Sequence, residues 1–393
     1  MIPVAEAQAR LLALAPPLPI ERVSLGDAAG RWTAAAIHAQ RNQPAADLSA
    51  MDGYALRFAE MPGPWRVVGE SAAGAGLETP LQPGEAARIF TGAPLPDGAD
   101  TILVQEDASR DGDTLRLSGE GPSRRGLHVR SQASDFATGA PLVDLGQALT
   151  PARIALAAIG GHGSVQVRRR PRVALISTGD ELVVPGEPTS GVMLPASNAP
   201  MLAAMLDARY ATVVDHGIVP DQLDALIGAF AAAARDSDVI VTTGGASVGD
   251  RDLVGPALEA AGAKLDFWKV AMRPGKPLMA GRLGDAIVLG LPGNPVSAFV
   301  TARLFLLPLL RHLGGDASPL PEVRRAPLGT SLGASGARAE YSRARLIDGQ
   351  VHPLVEQDSA ALLALAAADL LVVRPPHSPA AEAGEIVEIV SLT

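Results

Sequence analysis

The sequence predicts a multidomain fold of α/β and β type. Its centre is a three-layer α/β/α domain with a parallel-dominated sheet, set between two smaller β-rich parts. Three observations predict this. Between residues 171 and 312, short apolar runs alternate with loops and helical segments. From about 64 to 148, short apolar runs sit between Gly, Pro and Asp clusters, and after about 320 that texture returns. Repeated strand–loop–helix units build a parallel sheet covered on both faces, whereas closely spaced short strands with turn residues build small β domains.

Each element follows in chain order. Residues 4–14 read as a helix because Val4, Ala7, Leu11 and Leu12 share one face. "WRVVG", "AARIF", "TILVQED" and "TLRLSG" read as strands of the first β-rich part. In the centre, "RVALIS" leads to a loop and a helix at about 198–207, and "ATVVDHGIV" to "DQLDALIGAFAAAARD". "SDVIVTTGG" leads to "DLVGPALEAAG", and "AIVLGLPG" to "NPVSAFVTARLFLLPLL". A strand over about 264–271 runs into "RPGKP". The last part carries "VRRAPL", "RARLI", "LLVVR" and "EIVEIV", with one Ala/Leu helix near 359–368.

Bulk properties narrow the function. A chain of 393 residues exceeds one ordinary core, so two to four domains are expected. A net charge of −9 argues against a broad nucleic-acid or membrane-surface role, which needs a basic face. With no cysteine, disulfides, thiolate catalysis and Cys-ligated metal sites are excluded, and a cytoplasmic location fits. The N-terminal stretch has Glu6 and Arg10 inside its apolar run and no basic leader, unlike a secretory signal. No run approaches the roughly 20 apolar residues of a membrane span. The seven histidines are scattered without ligand spacing.

In a parallel α/β sheet, ligands bind beyond the carboxyl ends of the strands. Four polar loops follow predicted strands and converge there. "STGDEL" contains Ser177, Thr178, Gly179, Asp180 and Glu181, and "HGIVPDQ" contains Asp221. "TTGGASVGDRD" contains Gly244, Gly245, Ser247 and Asp252, and "LPGNPVS" contains Pro292, Asn294, Pro295 and Ser297. Small residues entering a helix free backbone N–H groups for a phosphate, yet the same string reads equally well as an ordinary turn. Asp180, Glu181, Asp221 and Asp252 are hard oxygen donors that suit Mg²⁺ beside substrate phosphates, and Asp at such positions also caps helices. Among them Glu181 is the one with least need of a capping role. The only lysines, Lys264, Lys269 and Lys276, cluster around "FWKVAMRPGKP" in a chain otherwise using Arg. Asp52, Thr91 and Asp135 sit in Gly- or Pro-rich turns that, taken singly, read as structural.

Taken together, the strings "SAMDGYA", "IFTGAPLPDGAD", "STGDEL", "TTGGASVGDRD", "WKVAMRPGKP" and "LPGNPVS" occur in one chain and one order. That pattern closely resembles the MoeA family of molybdopterin molybdenumtransferases, which includes the E domain of gephyrin. The resemblance implies an elongated homodimer whose subunit has four domains and an N-terminal helix. These are an N-terminal helix at 1–19, a discontinuous linking domain at 20–50 and 140–168, a β-rich domain at 51–139, a MogA-like α/β domain at 169–316 and a C-terminal β-barrel at 317–393. It implies that molybdate is inserted into adenylylated molybdopterin with Mg²⁺-dependent release of AMP, and a transient contact with a molybdopterin adenylyltransferase. Asp52, Thr91 and Asp135 match the family's N-terminal positions, to be brought to the α/β domain of the partner subunit. Glu181, Asp221 and Asp252 match those of the α/β pocket, and Lys269, Arg273 and Lys276 its basic run. Pro292 and Pro295 match the Pro-Gly-Asn-Pro turn, and Arg343 and Ser359 resemble residues that hold molybdate.

The chain departs from the family pattern in places. Arg273 stands where Lys is usual, Ala133-Ser134 where Gly-Glu is usual, and Asp369 where Asn is frequent. The "QGSG" string is Gln357-Asp358-Ser359-Ala360. Two rival readings remain: a molybdopterin adenylyltransferase or CinA-type enzyme, which shares the α/β domain, and a non-catalytic dimeric scaffold. The attached "MDGYA" region and C-terminal β part argue against the first, and no peptide groove is identifiable for the second.

Overall fold

The structure, a computed structural model, describes residues 1–206, 210–244, 253–267 and 269–392. The chain packs as two units. One comprises residues 1–35, 145–149 and 166–393, and the other residues 36–144 and 150–165.

The smaller unit is built on a six-stranded sheet. Its order is Thr101–Val104, Gly53–Leu56, Glu85–Ile89, Trp65–Ser71, Thr114–Leu117 and Ala108–Asp111. Tyr54, Leu56, Trp65, Val67, Leu103 and Leu115 form its main core, while Ala55, Ile89 and Ile102 pack in a second cluster. Successive residues of a strand point to opposite faces, so Gly53–Leu56, buried throughout, serves both.

The larger unit holds a six-stranded mixed sheet ordered Thr212–Val219, Arg172–Thr178, Val239–Thr243, Ala286–Leu291, Met279–Leu283 and Lys264–Phe267. The first four strands are parallel, and the hairpin 279–291 and the 264–267 strand add antiparallel neighbours. The "VALI" run explains the layering. Val173 and Leu175 join a core with Ala7 and Leu11 of helix Val4–Leu14 and with Val300 and Leu304. Ala174 and Ile176 face Leu226 and Phe230 of helix Leu223–Asp236 and Leu258 of helix Val254–Ala260. A strand buried on both faces has no polar alternation, which is how it reads in the sequence.

Two expectations need correction. The strand expected over 264–271 ends at Phe267, and Met272–Arg273 instead pairs in parallel with Ala339–Glu340 of the C-terminal sheet. The long apolar helix after "LPGNP" is not uniform. It runs as α-helix Pro295–Thr301, a π segment Ala302–Leu306 and α-helix Leu307–Leu313. Pro308 has no N–H to return to the preceding turn, so the ladder is interrupted just before it. This 19-residue stretch is long and apolar enough to cross a membrane, which the sequence reading did not anticipate, but 78% of its apolar window is buried inside the protein.

The C-terminal sheet is ordered Met272–Arg273, Ala339–Ile347, Leu370–Arg374, Ile386–Ser391 and Arg324–Pro327, with Gln350–Pro353 beside Ala339–Ile347. A bridge between Leu328 and Val351 closes it into a barrel around Leu328, Ala344, Val351, Leu370, Val372 and Ile389.

Candidate active site

Strand order reverses direction at Arg172–Thr178, whose chain successor lies on one side and whose next neighbour, Val239–Thr243, on the other. Such a switch point opens a crevice at the carboxyl ends of the strands. Gly244 closes that crevice tightly. It has φ 91°, and a Cβ there would lie 2.3 Å from the carbonyl oxygen of Thr178, so only glycine fits. Two cavities open here and share Thr178, Glu181, Gly244, Gly293 and Asn294. One, of about 570 Å³, adds Ser177, Asn198 and Thr243 to an apolar rim of Leu182, Leu194, Pro195 and Leu362. The other, of about 560 Å³, is charged: it adds Gly179, Asp221, Arg273, Lys276, Pro292, Ser297, Arg338 and the 357–359 loop. Pro295 lines the first and starts the helix that both cavities abut.

The carboxylates behave differently from simple helix caps. No helix follows Asp180, and its Oδ1 accepts a hydrogen bond from the Asp221 backbone N–H at 3.0 Å, tying two loops together. Helix Leu223–Asp236 starts after Gln222 without a side-chain cap, so Asp221 is not its cap. Burial first, and then repulsion from Asp180 and Glu181, raises the Asp221 pKa above the ordinary carboxylate value. Among the described residues no three acidic or histidine side chains form a ready-made metal cluster. Asp252, Gly245 and Ser247 lie outside the described residues.

The basic loop is held from both ends. Val270 N–H donates to the Lys276 carbonyl at 3.1 Å, and Ala339 N–H to the Ala271 carbonyl at 3.0 Å. Gly275 has φ 102°, and a Cβ there would meet the Thr301 methyl at 2.5 Å. Arg273 and Lys276 are exposed and line the charged cavity. Lys269 lines neither cavity: its side chain is half-buried, and its carbonyl accepts from Ile2 N–H at 3.1 Å. Lys264 is an exposed residue at the start of the edge strand.

Ser359 reaches the site as expected, but Arg343 does not. Asn294 Nδ2 donates to Ser359 Oγ at 2.8 Å, and Val296 N–H to the Ser359 carbonyl at 3.1 Å. Asn294 thus gives its side chain to this loop instead of capping its own helix. Arg343 is 1% exposed, and its guanidinium donates to the carbonyls of Glu356, Asp358 and Ala361 at 3.0, 3.0 and 3.4 Å. Gln357 braces the same turn, donating to the carbonyls of Arg343 and Leu354. Arg343 therefore shapes the loop that carries Ser359, and it lines neither cavity.

In the smaller unit, Asp52 and Thr91 form one locked pair. Asp52 Oδ1 accepts from Thr91 N–H at 2.7 Å and from Thr91 Oγ1 at 2.8 Å. These bonds hold the Asp52 pKa below the ordinary value. Asp135 is exposed, and its backbone N–H donates to Gln43 O at 3.0 Å. Ala133 has φ 57°.

Sequence reasoning missed Arg338 and Asn198. Arg338 lies outside every motif quoted above, and Asn198 sits at a helix start, where its side chain donates instead to Gly293 O at 2.8 Å.

Residues 2–161 match the model of the MoeA N-terminal region (domain I and II), residues 174–312 that of a probable molybdopterin binding domain, and residues 325–392 that of the MoeA C-terminal region (domain IV). A molybdopterin molybdenumtransferase of Nostoc sp. is 38% identical over 342 residues, covering 84% of this chain and 78% of the relative. One from Haemophilus influenzae is 35% identical over 319 residues, covering 80% and 78%. A crystal structure of a molybdopterin biosynthesis MoeA protein from Pyrococcus horikoshii superposes with a TM-score of 0.83 at 29% identity, covering 100% of this chain and 99% of that one.

Proposed function

The chain belongs to the MoeA family of molybdopterin molybdenumtransferases, enzymes of molybdenum cofactor biosynthesis, and from that premise we propose that its substrates are molybdate and adenylylated molybdopterin. Water cleaves the adenylate P–O–P link and AMP is released, and molybdenum passes from molybdate to the two dithiolene sulfurs as molybdate oxygen leaves as water with the thiol protons. One observation carries this reading: a single cavity is lined by carboxylates, cations and hydroxyls together. A substrate with several phosphate charges, together with an oxyanion, calls for that pairing.

Glu181 and Asp221 are hard oxygen donors, and a divalent cation would relieve the repulsion that raises the Asp221 pKa. That chemistry fits Mg²⁺, held by Glu181 and Asp221 beside Asp180, with Asp252 as the expected further ligand. Mg²⁺ bound there supplies Lewis-acid polarisation of the adenylate phosphate. Arg273 and Lys276 collect oxyanions, Ser297, Asn294 and Ser359 offer hydrogen bonds, and Ser177, Thr178 and Gly244 line the neighbouring cavity. The apolar rim of the neighbouring cavity suits a flat heterocycle.

The protein is read as a cytoplasmic homodimer with the four-part domain plan set out above. The partner subunit's Asp52, Thr91 and Asp135 would complete each site. The test is AMP release from adenylylated molybdopterin by the purified protein. Release that requires molybdate supports the proposal. ATP-dependent adenylylation of molybdopterin would point to an adenylyltransferase instead, and inactivity in both assays to a scaffold.

A further inference from the structure

Asp52 emerges at one end of three neighbouring strands of the smaller unit, and one side chain ties all three together. Arg88 lies on strand Glu85–Ile89, directly opposite Tyr54 of strand Gly53–Leu56. Its guanidinium crosses that central strand: Nη1 donates to the Gly53 carbonyl at 3.1 Å, and Nη2 to Gln105 Oε1 at 2.7 Å. Gln105 follows the far strand, Thr101–Val104, and its backbone N–H donates to the Asp52 carbonyl at 3.1 Å. We propose that Arg88 is a positioning residue for the transfer reaction: it clamps the strand ends that present Asp52, so that the carboxylate meets its site in one fixed place. The proposal rests on the reading that Asp52 takes part in transfer, and deepens it.

The clamp leaves one oxygen of Asp52 for a ligand. Thr91, three residues beyond Arg88, places both of its hydrogen bonds on Oδ1. Among the described residues, Oδ2 accepts none. The central strand has no room to shift. A Cβ on Gly53 would lie 2.1 Å from the Leu103 carbonyl oxygen, so glycine alone lets the two strands approach this closely. The guanidinium is held from its faces as well. Its carbon lies 4.8 Å from the Phe90 ring centroid and 5.3 Å from that of Tyr54, which is buried. Arg88 is half-buried and, among the described residues, forms no ion pair. Its charge acts on Asp52 through space and helps to keep that carboxylate ionised. A rigid planar fork holds two acceptors from different segments in register, which an ammonium on a flexible stem does less well.

The test is molybdate-dependent AMP release in single turnovers by the full-length parent, Arg88→Ala, Arg88→Lys, Asp52→Ala and the Arg88→Ala/Asp52→Ala double variant. Misplacing a catalytic group by a small distance costs up to about 100-fold, so Arg88→Ala should lower the rate by about 10- to 100-fold. Arg88→Lys keeps the charge and should recover part of that loss. In the Asp52→Ala background the same Arg88→Ala change should cost less than about twofold, because no carboxylate remains to be positioned. A merely structural arginine, or one that touches substrate itself, would cost the same factor in both backgrounds, and that result overturns the proposal. Parental activity of Arg88→Ala where Asp52→Ala is impaired also overturns it and leaves the site reading intact. Parental activity of Asp52→Ala would instead remove Asp52 from the reaction, and the premise with it. Melting curves check that the variants are folded; where Arg88→Ala is not, Arg88→Lys, alone and combined with Asp52→Ala, carries the same comparison.

Discussion

Asp52 and Asp221 are both carboxylates in turns beside a strand, yet their surroundings act on them in opposite directions. Asp52 accepts two hydrogen bonds from one residue, Thr91, and these pull its pKa down. Asp221 is partly buried beside Asp180 and Glu181, and its pKa is pushed up. The first is a charge already satisfied by its own unit. The second is held in a place where burial and two neighbouring carboxylates disfavour its ionisation. Proteins keep such unfavourable charges chiefly at working sites.

The largest effect should come from separating the two regions by mutation. Asp52→Ala and Glu181→Ala should each lower molybdenum transfer by about 100-fold or more, the scale of losing an electrostatic group at a reacting centre. If a site takes Asp52 from one subunit and Glu181 from the other, mixed dimers of the two variants contain one intact site. Random subunit exchange should then restore about a quarter of parental activity. Two inactive variants that stay inactive after verified exchange would show that the two regions do not share a site across subunits.

A smaller effect separates stability from activity at Asp221. Its folded pKa lies above the ordinary value, so the metal-free folded state loses stability as pH rises through the carboxylate range towards that raised value. Asp221→Asn has no such loss. At pH 7 with a chelator present it should be more stable by about 0.5–1 kcal/mol, a typical gain from removing a functional strain, while transfer activity falls. Lower stability of the variant would mean that the carboxylate is already compensated, as Asp52 is. Asp52 has the opposite sign: what its Thr91 bonds contribute is present above the ordinary carboxylate range and is lost as pH falls through its depressed value.

The smallest effect concerns backbone strain near Asp135. Ala133 holds φ 57°, a left-handed conformation that glycine adopts without a Cβ clash. Ala133→Gly should raise stability by about 0.5–1 kcal/mol in denaturant titration and leave activity unchanged. A destabilised variant would show that the entropy lost by glycine outweighs the strain relieved.

Much of the fold was legible because apolar periodicity survives in any environment. "RVALIST" became the doubly buried strand Arg172–Thr178, and "VAEAQARLLAL" the helix Val4–Leu14, with Ala7 and Leu11 inward. The loops after the strands were legible too, since Gly244, Asn294 and Glu181 all reached the expected crevice. The basic stretch was read only in part. Arg273 and Lys276 line the cavity, but Lys269 lines neither cavity: the strand stops at Phe267, and Ile2 takes up the Lys269 backbone. Period and composition carry no sign of either event.

By itself the sequence determined where most of the strands and helices would form, and which loops would gather at the end of the parallel sheet. Both follow from local chemistry: the spacing of apolar residues, and the glycines and prolines at turns. Only the tertiary structure decided between two arginines of the same barrel. Arg343 and Arg338 stand on one strand and its approach, but carbonyls of the 356–361 turn enclose the first, and pairing with Met272–Arg273 brings the second to the cavity. The charge of an arginine is written in its name; whether that charge meets a carbonyl or a substrate depends on partners far away in the chain.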